Sequence, residues 1–158
     1  MAARSDFSIE GAHIIFSNFA GKERPPYNPA GKRNFTLLLD DHPELVEQLI
    51  EDGWNIKYLK PRDENDVERP IIDVAVQYSE KARPPKVVLI TDRNKTELGE
   101  NEIGMLDWAE IKNADVVVRP YNYNVNGREG VKAYLKALYV TIVEDKFDEK
   151  YADLPFSD

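Results

Sequence analysis

The dipeptide Asn126-Gly127 stands between two long alternating runs, residues 116–125 and 131–143. Both residues tolerate a positive φ at little cost, so the pair calls for a tight β-hairpin. The runs on either side are then antiparallel partners, and strands of that length must bend or coil to bury one face. Further strand patterns lie at 9–19, where Ile9, Ile14 and Phe16 are the apolar positions, and at 34–39, 54–60, 71–78 and 87–91.

Asp41 followed by Glu44 reads as a variant capping box. Leu45, Val46, Leu49 and Ile50 then form one apolar stripe at helical spacing, and Gly53 is placed to end it, which predicts a short helix over 42–52. Residues 97–112 carry no clear period and read as irregular, with Ile103, Leu106 and Ala109 compatible with a helical turn. The expected fold is mainly β: an OB-type Greek-key barrel with one short α-helix and long β-extensions, with an immunoglobulin-like sandwich as the alternative.

With no cysteine in 158 residues, disulfides, thiolate metal sites and a cysteine nucleophile are excluded together. His13 and His42 have no second ligand at a metal-binding spacing; His13 reads as a partly buried packing residue and His42 as a capping or surface residue. Neither a phosphate loop, a dinucleotide fingerprint nor a nucleophile elbow is present. The nearest approach to catalytic chemistry is Asp107 with Glu110 and Lys112, an acid and a Glu-x-Lys that could hold Mg²⁺ in a nuclease. The expectation is a non-enzyme without cofactor or metal.

A net charge of −8 argues, taken alone, against a nucleic-acid partner, but the charge is unevenly spread. Between 16 and 35, Lys22, Arg24, Lys32 and Arg33 face Glu23 alone, whereas Glu144, Asp145, Asp148, Glu149, Asp153 and Asp158 dominate the end of the chain. The opening residues lead into a strand pattern without a signal-peptide core, and no apolar run is long enough to span a bilayer, so a cytoplasmic location is expected.

With a period of two, Lys132, Tyr134 and Lys136 share one face of the last strand, opposite Val131, Ala133 and Leu135. Arg119, Tyr121 and Tyr123 share a face opposite Val116 and Val118. The proline- and glycine-rich loop at 21–33 and its flanks mix the same types in Phe19, Lys22, Arg24, Tyr27, Lys32, Arg33 and Phe35, and Lys57, Tyr58 and Lys60 repeat the mixture. Cations beside flat rings suit a flexible nucleic-acid strand, because phosphates take the charge while bases stack on the rings. These residues are the candidate binding site.

The chain closes on Asp153-Leu154-Pro155-Phe156-Ser157-Asp158. The first four resemble the acidic Asp-Ile-Pro-Phe ending of bacterial single-stranded DNA-binding proteins, although there the phenylalanine is terminal. The body at 11–35, 83–91 and 106–145, including Val125-Asn126-Gly127 and Gly130-Val131-Lys132-Ala133-Tyr134-Leu135, resembles bacteriophage-encoded single-stranded DNA-binding proteins with an OB fold. That resemblance implies a DNA-binding domain over 1–144 and a disordered acidic tail over 145–158. It also implies non-catalytic, sequence-independent binding of single-stranded DNA in phage or prophage replication or recombination, in the cytoplasm of the bacterial host. Replication or recombination proteins would dock on Asp153, Leu154, Pro155 and Phe156, and a homo-oligomer is left open. A protein–protein adaptor is the main rival function, the Mg²⁺-dependent nuclease the other.

Overall fold

Asn126 and Gly127 take φ values of 53° and 82°, and Val125 pairs with Arg128 directly across them. The hairpin that the sequence calls for is therefore a two-residue turn with both central residues left-handed. The computed structural model describes residues 5–23, 31–60, 67–78, 83–92 and 94–143. Its elements are β1 (Phe7–Ile9), β2 (His13–Asn18), β3 (Arg33–Leu38), α1 (Pro43–Glu51), β4 (Ile56–Leu59), β5 (Arg69–Val76), β6 (Lys86–Ile90), β7 (Lys95–Leu98), a 3-10 turn (Ile103–Asp107), β8 (Ile111–Val125) and β9 (Arg128–Ile142).

The main path of hydrogen-bonded neighbours is β1-β8-β9-β5-β3-β2. β9 runs parallel to β5 near its start and parallel to β6 further along, while the β2–β3, β3–β5 and β8–β9 steps are antiparallel. β1 and β2, at opposite ends of the path, are consecutive in the chain, and Ala12 between them donates its N–H to the Ala114 carbonyl of β8 at 2.7 Å. The sheet consequently curls back on itself into the half-closed Greek-key barrel of the OB type, and not into the two facing sheets of a sandwich.

A bulge makes the curl possible. Val118 pairs with Leu135 but Val117 pairs with Ala137, which leaves Lys136 as the extra residue of β9. The inward face shifts with it, from Val131, Ala133 and Leu135 to Leu138 and Val140, all of them buried. Phe19, Phe35, Leu37, Ile72, Val74, Val116 and Val118 complete the centre of the core.

Helix α1 ends as predicted: Gly53 has φ 89°, its N–H bonds to the Ile50 carbonyl, and the Trp54 N–H bonds to that of Leu49. This double closure satisfies two otherwise orphaned carbonyls. The helix start differs from the expected capping box. His42 is the N-cap, without a side-chain bond, and Pro43 opens the helix, while the Asp41 carboxylate lies 3.4 Å from His13. His13 is thus exposed and not a packing residue. Val46 and Leu49 bury the apolar stripe, but Ile50 stays outside.

The expected strand at 9–19 is two strands, because Gly11 at φ 62° turns the chain between β1, which pairs with β8, and β2, which pairs with β3. The Gly11 N–H is held by Asp115 Oδ1 at 3.0 Å. Within 97–112, read as irregular, the structure has the end of β7, the 3-10 turn anchored by buried Ile103 and Leu106, and the first residues of β8. Residues 145–158 lie outside the described residues.

Candidate nucleic-acid interface

A cleft of about 950 Å³ runs across the polar side of the curled sheet. Its lining follows from strand alternation. On β3, Phe35 and Leu37 turn into the core, which sends Asn34 and Thr36 to the opposite face, where they line the cleft. On the hairpin, Val131 and Ala133 are buried, so Lys132 and Tyr134 point the other way, beside their cross-strand partners Tyr121 and Arg119.

The rings of Tyr121 and Tyr134 stack with centroids 5.0 Å apart, and the Lys132 ammonium lies 5.8 Å from the Tyr134 ring centre. Tyr123 lies over Gly130, where an added Cβ would come within 2.5 Å of the phenol oxygen. Its hydroxyl is within hydrogen-bond distance of the Asn55 amide, at 3.3 Å from Nδ2 and 3.4 Å from Oδ1. The glycine is thus what allows the third ring to lie flat on the sheet.

A second wall comes from β2. Ile15 pairs with Thr36 and Asn18 with Asn34, so Phe16 and Ser17 together oppose Phe35 alone. Phe16 adopts φ 50°, a left-handed conformation that costs a residue with a Cβ about 1–2 kcal/mol. The bulge re-aims the ring from the core into the cleft, leaving it 66% exposed.

Lys32, Lys57 and Lys132 line the cleft together with one acid, Asp73. Asp73 Oδ1 accepts a hydrogen bond from the Thr36 hydroxyl at 2.7 Å and Oδ2 one from Lys57 Nζ at 2.9 Å. Burial works to raise the Asp73 pKa, but the bonds from Lys57 and Thr36 and the charges of Lys57 and Lys32 outweigh it, and the net shift is downward. The cleft is therefore cationic in a chain whose total charge is −8, and its rings and lysines alternate along the same walls.

Of the sixteen candidate binding residues read from the sequence, the structure brings Lys32, Lys57, Tyr121, Tyr123, Lys132 and Tyr134 to the cleft, which Phe35 also borders from the buried side of β3. Arg119 extends the same face next to Tyr134 and donates to the Arg83 carbonyl at 3.1 Å. Phe19 and Phe35 are corrections: both are fully buried, 5.3 Å apart, and have no free face for a base. Arg33 shares the inward parity of Phe35 and is bound instead to Glu100, at 3.3 Å to its carboxylate and 3.4 Å to its carbonyl. It also lies over the Tyr78 ring. Burial raises the pKa of that tyrosine against the opposing charge of Arg33.

Tyr58 alternates with Lys57 and so leaves the cleft face, Lys60 lies past the end of β4, and Lys136 is paired with Asp6 at 2.6 Å. Lys22 sits over the Trp108 ring. Arg24, Tyr27 and the tail residues Asp153, Leu154, Pro155 and Phe156 lie outside the described residues. Sequence reading missed Phe16, Asn18, Asn34, Thr36, Asn55, Asp73 and Val125. The alternation of β3 carried a signal for Asn34 and Thr36, whereas the bulge that exposes Phe16 has no local signature.

The nuclease alternative loses its first ligand, because both oxygens of Asp107 accept backbone N–H groups, from Phe19 at 2.8 Å and Ala20 at 2.9 Å. Among the described residues no cluster of three or more histidines or acids could hold a metal ion, and no helix is long and apolar enough to cross a membrane.

A family model described as "Putative phage ssDNA-binding domain" matches residues 2–158. Among solved structures, the single-stranded DNA-binding protein from bacteriophage Enc34 in complex with ssDNA superposes with a TM-score of 0.59 at 14% identity, over 90% of this chain and 89% of that one. A C-terminal truncation of the Enc34 protein gives 0.57 at 15% identity, over 89% and 87%. At such identities the likeness is one of fold. No curated protein matches the chain in sequence.

Proposed function

The chain belongs to the phage ssDNA-binding domain family, and from that premise we propose that its cleft holds single-stranded DNA, without catalysis and with little regard to base sequence. The observation that carries this reading is the pairing of stacked Tyr121 and Tyr134 with Lys32, Lys57 and Lys132 round one open groove. Every base has a π-face, so stacking on tyrosines is indifferent to sequence, while the lysines neutralise phosphates. The described residues offer no helix patterned to enter a duplex groove, α1 presenting Glu44, Glu47 and Glu51 outward. The test is a titration with oligo-dT and with duplex DNA at two salt concentrations. Single strands should bind more tightly than duplex, and the affinity should fall as salt rises; equal affinities, or binding indifferent to salt, exclude the reading.

The same reading gives the chain a role in coating single strands during phage replication or recombination in the host cytoplasm. Residues 1–144 would form the binding domain and 145–158 an acidic tail, with Asp153, Leu154, Pro155 and Phe156 as the docking peptide for replication or recombination proteins. The tail's surplus of acids and the ring of Phe156 in its Asp-Leu-Pro-Phe peptide support this, since a short peptide gains most of its affinity from one buried ring. Loss of partner capture on Phe156→Ala, with DNA affinity kept, is the expected result.

A further inference from the structure

Trp108 is 80% exposed, more than any other large apolar side chain among the described residues. Its support is nevertheless firm. The 3-10 turn before it buries Ile103 and Leu106, and Gly104 lies so close to Ala20 that an added Cβ would come within 3.1 Å of the alanine Cβ. Asp107 binds the backbone N–H groups of Phe19 and Ala20 with both oxygens, and the Trp108 N–H donates to the Met105 carbonyl at 3.1 Å. A ring that burial would ordinarily hide is held outward on a fixed platform.

That platform adjoins the cleft. Asn18 lines the cleft, and its side chain closes a reciprocal turn with Lys22, donating to the Lys22 carbonyl at 2.9 Å and accepting the Lys22 N–H at 3.0 Å. The Lys22 ammonium in turn lies 4.9 Å from the Trp108 ring centre. An apolar protein surface docking here would strip water from the Lys22 charge, whereas a nucleotide meets ring and cation with base and phosphate.

Resting on the reading of the cleft as a single-strand site, we propose that the bound strand leaves the cleft over the Asn18 and Lys22 turn and stacks a base on the Trp108 indole, with Lys22 meeting a neighbouring phosphate. Trp108 then lengthens the site without belonging to its centre.

The test uses the full chain and oligo-dT of increasing length, from a few nucleotides that the cleft alone accommodates to the roughly 16 that large OB sites cover. Trp108→Ala should bind the shortest oligonucleotides as the wild type does and the longest about tenfold more weakly, the equivalent of about 1.4 kcal/mol. Trp108→Phe should restore part of that loss. Because Trp54 is only 5% exposed, the fluorescence quenching produced by long oligonucleotides should disappear in Trp108→Phe. Wild-type affinity of Trp108→Ala at every length overturns the inference and leaves the cleft reading intact. A loss already complete with the shortest oligonucleotide overturns it as well. Failure of the wild-type chain to bind any single strand, or indifference to Tyr121→Ala, removes the cleft reading and this inference with it.

Discussion

Tyr121 and Tyr134 stack with their planes 11° from parallel, although neither is the other's partner in the ladder: Tyr121 faces Lys132 and Tyr134 faces Arg119. The contact is diagonal, which the right-handed twist of a long hairpin favours. It builds a two-ring shelf before any ligand arrives. Stacking a base on a shelf already formed costs less side-chain entropy than ordering two free rings.

Tyr134→Ala should therefore weaken oligo-dT binding by about 1–3 kcal/mol and lower stability by no more than about 1.5 kcal/mol, the worth of an aromatic pair. Leu135→Ala, one residue along and buried in the core, should do the reverse, costing about 2–5 kcal/mol of stability through a cavity. Denaturant unfolding and DNA titration of the two variants separate these effects. Because the rings act together, the double variant Tyr121→Ala with Tyr134→Ala should lose less than the sum of the single losses.

Phe16 holds an exposed ring on the cleft at a cost in backbone strain. Its φ of 50° is strained for phenylalanine and free for glycine, while the exposed ring gains little from burial. Phe16→Gly should raise the unfolding free energy by up to about 1 kcal/mol and weaken DNA binding at the same time. A thermal melt that moves down would show that the ring supports the fold.

The elements most legible in the sequence were those specified locally. Asn126-Gly127 sets its own turn, and alternation placed Lys132 and Tyr134 opposite Val131 and Leu135 because side-chain period is a property of the strand itself. Phe35 was legible too: it shares parity with Leu37, and the basic, aromatic company of the preceding loop obscured that. Other features depend on distant partners. Arg33 is neutralised by Glu100, 67 residues away, and Phe19 meets Phe35 only when β2 pairs with β3 across the intervening loop. The bulge at Phe16 belongs to the register between β2 and β3, which no window of sequence contains.

The acidic end of the chain should compete with DNA for the cationic cleft, since its carboxylates are attracted to the lysines that take phosphates. Deleting residues 145–158 should tighten oligo-dT binding at low salt, with a gain that shrinks as salt screens the attraction. Equal affinity of the full and shortened chains at low salt would exclude this competition.

Asp73 sets the resting state of the cleft. Its carboxylate is about half exposed and holds Lys57 at 2.9 Å, so in the free protein Lys57 is engaged and a negative charge stands within the cleft proposed to take phosphates. Asp73→Asn should free Lys57 and remove that repulsion. Oligo-dT should bind more tightly, and the slope of log K against log salt should steepen by about 0.7, the increment for one added phosphate contact on a single strand. Stability should respond in the opposite sense. The Asp73 pKa is lowered from its ordinary 3.8, so its contribution is present above that pH and is lost as the pH falls through the lower folded value. At neutral pH the asparagine variant should be less stable by under about 1 kcal/mol, the range of an exposed ion pair. In strong acid the difference should close, because the wild-type carboxyl is then also uncharged. Melting curves taken from pH 7 down through the acid range, set beside the salt titrations, check both halves; a variant that binds DNA less tightly would show that Asp73 orders the cleft for its ligand and does not guard it.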